Sequence, residues 1–417
     1  MRYLIPILGL LLLVFLHELG HFVAAKRTGM RALRFFVGFP PPLLSRKIGD
    51  TEYGIGMIPL GGFVKIPGML RPEPSDLWAI DDLLDRGENL SDQDAAAIGL
   101  ARDEAARLIA QGDIDRAAGK AAELQVLIDG CEGLSERDRR RAGKCLTRLT
   151  EASDPRGYWR SSKRRRLIVI AAGPLANIAV AYLILTTLAA TGMPQPLRAF
   201  PVVAGIEKGE PPAQKIGLKT GDRIVSINGR TMHTFEQVRD TISGSKGRQL
   251  RIVVSRAGAR VALPATHAKL DQGRYIIGFF PDVKATTTTV PVWRAPIEGG
   301  DQMWRMITSS VSGLRTQGTS SVSSSVGIVR ASADAADTGA PYYLWLLAYI
   351  SLSLGILNLL PFLPLDGGHI LLLALERVRG RVLSRATFER VSALGIALVL
   401  FLFLFGLHND LLGAQPR

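Results

Sequence analysis

From Leu167 to Thr191 the chain runs 25 residues without a charged side chain. Few folds are open to such a stretch, because about 20 apolar residues cross a bilayer as a helix and a backbone in lipid must satisfy its own hydrogen bonds. Tyr342 to Leu365 is a second uncharged run, Val391 to Leu407 is a shorter one, and near the start an apolar run from Tyr3 to Leu16 continues through a charged motif to Ala25. Together they predict a polytopic α-helical membrane protein with about four transmembrane helices. The first run does not read as a cleaved secretory signal, since Arg2 is its only leading charge and no A-x-A site closes it.

Charge supplies the orientation. Lys26, Arg27, Arg31, Arg34, Arg46 and Lys47 follow the first span; Lys163, Arg164, Arg165 and Arg166 precede the second; Arg377, Arg379, Arg381 and Arg385 lie between the third and fourth. All three clusters fall on one side of a four-span chain, the cytoplasmic side by the positive-inside rule. Both termini and residues 193–340 are then expected outside. The chain carries a net +14, yet residues 72–160 hold 19 acidic and 13 basic side chains, a net of −6 that leaves +20 for the rest. This asymmetry reads as topology, and no nucleic-acid partner is expected.

The acidic block reads as helices at Ser91 to Ala110, Ile114 to Asp129 and Ser135 to Ala152, broken at residues 111–113 and 130–133. It holds both cysteines, Cys131 and Cys145. On the cytoplasmic side a structural disulfide is not expected, and two cysteines without neighbouring histidines read as packing residues.

The stretch "FLHELGHFVAAKRTG" at 15–29 places ionisable groups where lipid penalises them by on the order of 3 kcal/mol each. Residues four apart share a helix face, so His17 and His21 can offer imidazole nitrogens to one metal ion while Glu18 reaches a water beside it. A chance H-E-x-x-H arises in roughly one chain in a hundred of this length, but in lipid an idle match is costly. Catalytic zinc usually takes three protein ligands and keeps one position open. The third candidate is Asp366 in "NLLPFLPLDGGHI", the first charge after a long apolar run, set among Pro361, Pro364, Gly367 and Gly368. His369 is the runner-up, and the plain alternative makes Asp366 a helix N-cap.

H-E-L-G-H in a first span, N-x-x-P followed by L-D-G in a third, and a PDZ-like segment between them resemble the site-2 protease family of intramembrane zinc metalloproteases. The resemblance covers most of the chain. It implies zinc held by His17, His21 and Asp366, Glu18 as catalytic base, and Asn358 helping to hold the substrate backbone. One departure is visible: the family's P-x-P-x-L-D-G has here an extra residue between the prolines, moving Pro364 towards Asp366.

"TEYGIGMIPLGGFVKIPGM" at 51–69 alternates like a β-hairpin and resembles the family's membrane-associated β-element, so Gly61, Gly62 and Phe63 become candidate substrate-binding residues. "GPLAN" at 173–177 resembles the family's G-x-x-x-N motif, and Asn177 is read first as a helix-packing residue. "GLKTGDRIVSINGR" resembles a PDZ signature, with β-rich runs at Arg223 to Ile227 and Gln249 to Ser255 around a helical Thr234 to Ile242. Such a domain would bind an extended peptide or exclude bulky substrate ectodomains. An amphipathic helix and a Ser/Thr-rich connector are expected within 285–340.

The expected organisation is thus 1–71, first transmembrane helix and β-hairpin; 72–160, a cytoplasmic helical insert; 161–192, second transmembrane helix; 193–285, an extracytoplasmic PDZ domain of α+β type; 286–340, a connector; and 341–417, the last two spans with the L-D-G motif. The expected function is cleavage of single-span membrane proteins within the lipid bilayer of the cell's inner (plasma) membrane, near the cytoplasmic side. Anti-sigma factors or remnant signal peptides are the implied substrates. The alternatives are an inactive membrane-bound PDZ scaffold, which the intact His17, Glu18, His21 and Asp366 set disfavours, and a metal transporter, which would need charges midway along the second and third spans.

Overall fold

The computed structural model describes residues 2–86, 90–195, 198–207, 209–271, 273–317, 325–380 and 385–412. They divide into two compact units, Met1–Thr186 with Ile297–Arg417, and Thr187–Pro296.

The first unit begins with helix α1, Leu4–Arg27. Lys26 and Arg27 complement the negative end of its dipole, and Gly29 at φ 79° turns the chain away. Two long strands follow, β1 (Arg34–Ile48) and β2 (Thr51–Lys65), joined across Gly49 at φ 58°. Leu44–Ile48 pairs with Ile55–Thr51, while Arg34–Val37 pairs both with Glu52–Ile55 and with Lys65–Gly62. The hairpin expected over 51–69 is therefore part of a larger element. Residues 51–55 bond to β1 and not within their own segment, and Pro40, Pro41 and Pro42 hide β1 from strand-pattern reading. Phe35 packs on Phe15 and Phe22 of α1, with ring centroids 5.8 and 5.1 Å apart, and Phe63 stacks on Phe36 at 5.4 Å. These contacts hold β1 and β2 against α1.

Four helices come next, α2 (Trp78–Arg86), α3 (Asp92–Gln111), α4 (Ile114–Gly130) and α5 (Glu136–Ala152). Ser91, Asp113 and Ser135 cap the last three by accepting from Asp94, Arg116 and Asp138 backbone N–H groups, which are orphaned at any helix start. Ile80, Ile98, Leu124, Ile128 and Leu146 are buried between them. Each such side chain contributes about 1.5–3 kcal/mol by leaving water. Cys131 and Cys145 are free and buried, and the Cys145 thiol donates to the Asp76 carbonyl. Helix α6, Lys163–Thr191, contains Pro174.

The second unit is built on antiparallel strands in the order Phe279–Lys284, Arg198–Ile206, Arg223–Ile227, Ile252–Arg256 and Ala259–Ala262, with Arg230–Thr231 folded onto Arg223–Ile227. Asn228-Gly229 and Ala257-Gly258 make its tight turns, each with two positive φ values as two-residue hairpins require. Helices α7 (Pro212–Lys215) and α8 (Phe235–Gly244) belong to the same unit, and α8 opens on a capping box of Thr234 and Gln237. Ile224, Ile227, Val238, Leu250 and Val254 form its core.

The first unit is completed by α9 (Ala295–Gln317), α10 (Ser325–Thr338), α11 (Ala340–Asn358), α12 (Asp366–Arg379) and α13 (Arg385–Leu412). The centre of the Ser/Thr-rich connector and Arg381 lie outside the described residues. Helix α10 was not foreseen in the sequence. Among the described residues α1, α6, α11 and α13 are long and apolar enough to cross a membrane. They meet through small residues: a Cβ on Gly20 would stand 2.5 Å from the Ala172 carbonyl oxygen, and one on Gly355 would stand 2.9 Å from that of Pro174. Their outer faces leave Ile5, Leu183, Leu394 and Phe401 at least 60% exposed, as suits lipid and not water.

Candidate active site

On α1 the four-residue spacing of His17 and His21 puts their rings on one face, edge to face with centroids 4.9 Å apart. Both are buried, 8% and 9% exposed. Their partner comes from the far end of the chain. After Asn358 ends α11, residues 359–365 form consecutive tight turns, and the first residue of α12 is Asp366. Leu365, with ψ 160°, is the N-cap, so Asp366 does not act as the cap itself. Its carboxylate is instead turned to the histidines from the positive end of the α12 dipole. Glycines make that close approach feasible. A Cβ on Gly367 would strike the Leu359 and Leu360 carbonyls, and one on Gly368 would come within 2.5 Å of the Leu363 nitrogen.

The three groups converge on one point. His17 Nε2 lies 3.3 Å from His21 Nε2, and each lies 3.3 Å from Asp366 Oδ2. Tetrahedral zinc with bonds of about 2.0–2.1 Å spaces its ligands about 3.3–3.4 Å apart, so this triangle fits three corners of such a site. Two nitrogens and a carboxylate oxygen are also a donor set that zinc accepts, with one corner left over.

Surrounding groups orient the rings. His21 Nδ1 is 2.8 Å from the Val169 carbonyl of α6, which makes Nδ1 a donor and leaves the Nε2 lone pair facing its neighbours. Gly173 of α6 faces His21 so closely that a Cβ there would collide with Nε2. Asn177, one turn further along α6 and fully buried, approaches Nδ1 of His17 at 3.2 Å.

Glu18 sits beside this triangle on α1. A Cβ on Gly62 of β2 would lie 2.8 Å from Glu18 Cγ. Strand β2 thus passes at Gly62 beside the one carboxylate that adjoins the histidines on their own helix. Asn358 is half-buried at the last residue of α11. His369 is outside the triangle, its ring against Phe388 at 5.8 Å between centroids. Among the described residues His17, His21 and Asp366 form the one group of such donors close enough to share an ion. Val169, a backbone acceptor, carries no side-chain signal in the sequence, whereas Gly173 and Asn177 share a four-residue spacing that mirrors His17 and His21.

The chain is similar to known zinc metalloproteases. The chain is 29% identical to zinc metalloprotease RasP of Geobacillus kaustophilus over 429 residues, 96% of this chain and 95% of that one. It is 29% identical to zinc metalloprotease RasP of Bacillus licheniformis over 418 residues, 96% of each chain. It is 28% identical to the regulator of sigma-W protease RasP of Bacillus subtilis over 430 residues, 96% of this chain and 95% of that one. The profile of Peptidase family M50 matches residues 5–402, from the start of α1 into α13, and the chain belongs to that family.

Proposed function

We propose that this chain is an intramembrane zinc metalloendopeptidase that hydrolyses peptide bonds in the transmembrane segments of single-span membrane proteins. The observation that carries the reading is the 3.3 Å triangle of His17, His21 and Asp366 with Glu18 alongside. These three residues would hold the ion, which when bound would supply Lewis acidity to a water and to the scissile carbonyl. Glu18 takes a proton from the attacking water and later returns one to the leaving amine nitrogen, the carboxylate's expected role in this spacing. A helix hides its peptide bonds until it unwinds, so Asn358 and the backbone of Gly61, Gly62 and Phe63 hold the extended substrate beside Glu18.

In this reading the enzyme is a multi-pass protein of the plasma membrane with both termini outside and its site near the cytoplasmic face, as the basic clusters favour. Residues 72–160 are a cytoplasmic insert. Residues 193–285 form an extracytoplasmic PDZ domain that screens substrates by the bulk of their outer regions. A relative named for sigma-W regulation favours anti-sigma factors as substrates, with remnant signal peptides the other class. The test is cleavage of a purified single-span substrate in detergent, read by mass spectrometry of the products. Glu18→Gln is expected to lower the rate by about 10²–10⁴ while zinc stays bound. A Glu18→Gln enzyme that cleaves at the wild-type rate would remove Glu18 from the chemistry.

A further inference from the structure

Asn177 stands apart from the other buried polar groups around the triangle. It is fully buried, its amide nitrogen faces His17 Nδ1 at 3.2 Å, and its Oδ1 is buried without a hydrogen-bond partner. A histidine that gives Nε2 to a metal carries its proton on Nδ1, and that N–H requires an acceptor. An amide nitrogen cannot serve, while the orphan oxygen on the same side chain can. A half-turn about the terminal bond exchanges the two ends within the same volume, because they are nearly identical in shape.

We infer that Asn177 is a positioning residue whose amide oxygen accepts the His17 Nδ1 proton, holding that imidazole in the tautomer that presents Nε2 to zinc. The inference rests on His17 being a zinc ligand. It gives α6 one function towards both histidines: the Val169 carbonyl takes the Nδ1 proton of His21 at 2.8 Å, and Asn177, two turns further on, takes that of His17. The Asn177 backbone is itself clamped. Ser351 Oγ of α11 donates to the Asn177 carbonyl at 2.8 Å, and a Cβ on Gly355 would stand 3.4 Å from Asn177 Cβ, so the amide is held where α6 and α11 meet. Fixing the orientation and tautomer of a ligand in this way is commonly reflected in metal affinity by 10–100-fold.

The test compares Asn177→Asp with Asn177→Leu in the detergent-purified full chain, reading zinc affinity by chelator competition alongside trypsin resistance. Aspartate keeps an acceptor oxygen in the same volume, and leucine keeps volume without an acceptor. The expected result is affinity within about threefold of wild type for Asn177→Asp and a loss of about 10–100-fold for Asn177→Leu. Wild-type affinity in a folded Asn177→Leu, or an equal loss in both folded variants, would overturn the inference and leave the ligand set intact. Wild-type protein without zinc would sink the ligand assignment and this inference with it. If Asn177→Leu does not fold, Asn177→Ala, which removes the acceptor without filling the space, takes its place: a loss of zinc affinity of about 10–100-fold beside a near-wild-type Asn177→Asp supports the inference, and wild-type affinity contradicts it.

Discussion

At the scale of single residues the site depends on glycines as much as on its ionisable groups. Gly173→Ala would drive a methyl into His21, so the ring must move or the helices must part. Displacements of about 1 Å can lower catalytic rates 10²-fold, and a loss of about that size is expected in substrate cleavage, with weakened zinc binding. Gly99→Ala is the contrast. Nothing lies within 4 Å of the position its Cβ would take on α3, so the change should stabilise the protein by about 0.5–1 kcal/mol in thermal unfolding and leave cleavage unaltered. A good part of the site was legible in the sequence. His17, Glu18 and His21 stand out because helix periodicity puts them together, and Asp366 because it is the first charge past an apolar run, among prolines and glycines. The contacts from Val169, Gly173 and Asn177 depend on how α6 meets α1, which one sequence does not encode in any local pattern.

Among the elements, helices were the more legible class. The observed α3, α4 and α5 begin and end within a residue or so of their Ser, Asp and Gly punctuation, because caps are local chemistry. The strand β1 was not legible, since its prolines argue against a ladder and its partners are set by α1 aromatics as much as by turns. In the second unit one ion pair joins two elements. Arg256 donates to both carboxylate oxygens of the buried Asp222, at 2.8 and 2.7 Å, and the Lys219 N–H adds a third bond at 2.9 Å. The Arg256 guanidinium holds the Asp222 carboxyl below its ordinary value near 3.8. A depressed acid stabilises the fold above its unfolded pKa, and the contribution fades as pH falls from there through the lower folded value. Hydrogen exchange across residues 187–296, taken relative to the intrinsic amide rate at each pH, should therefore quicken below about pH 4. In Asp222→Asn it should already be faster at neutral pH, by the equivalent of about 1.5–3 kcal/mol, with less further change on acidification. Unchanged neutral-pH exchange in the variant would remove this pair from the stability of the unit.

For the whole molecule, the four apolar helices make it a membrane protein, and the sidedness we propose can be read with added thiols. Both native cysteines are buried, Leu100 is 75% exposed on α3 and Val292 is 76% exposed before α9. In intact cells a membrane-impermeant maleimide should label Val292→Cys and spare Leu100→Cys until the membrane is opened. The reverse pattern would invert the topology and put the insert outside. The central claim is that residues 349 positions apart in the chain, His17 and Asp366, share one zinc ion. Its most direct test is zinc per chain in detergent-purified protein, wild type beside Asp366→Ala. About one zinc is expected in the wild type and a clear loss in the variant. A well-folded wild type without zinc, or an Asp366→Ala protein that keeps it with undiminished affinity, would contradict it.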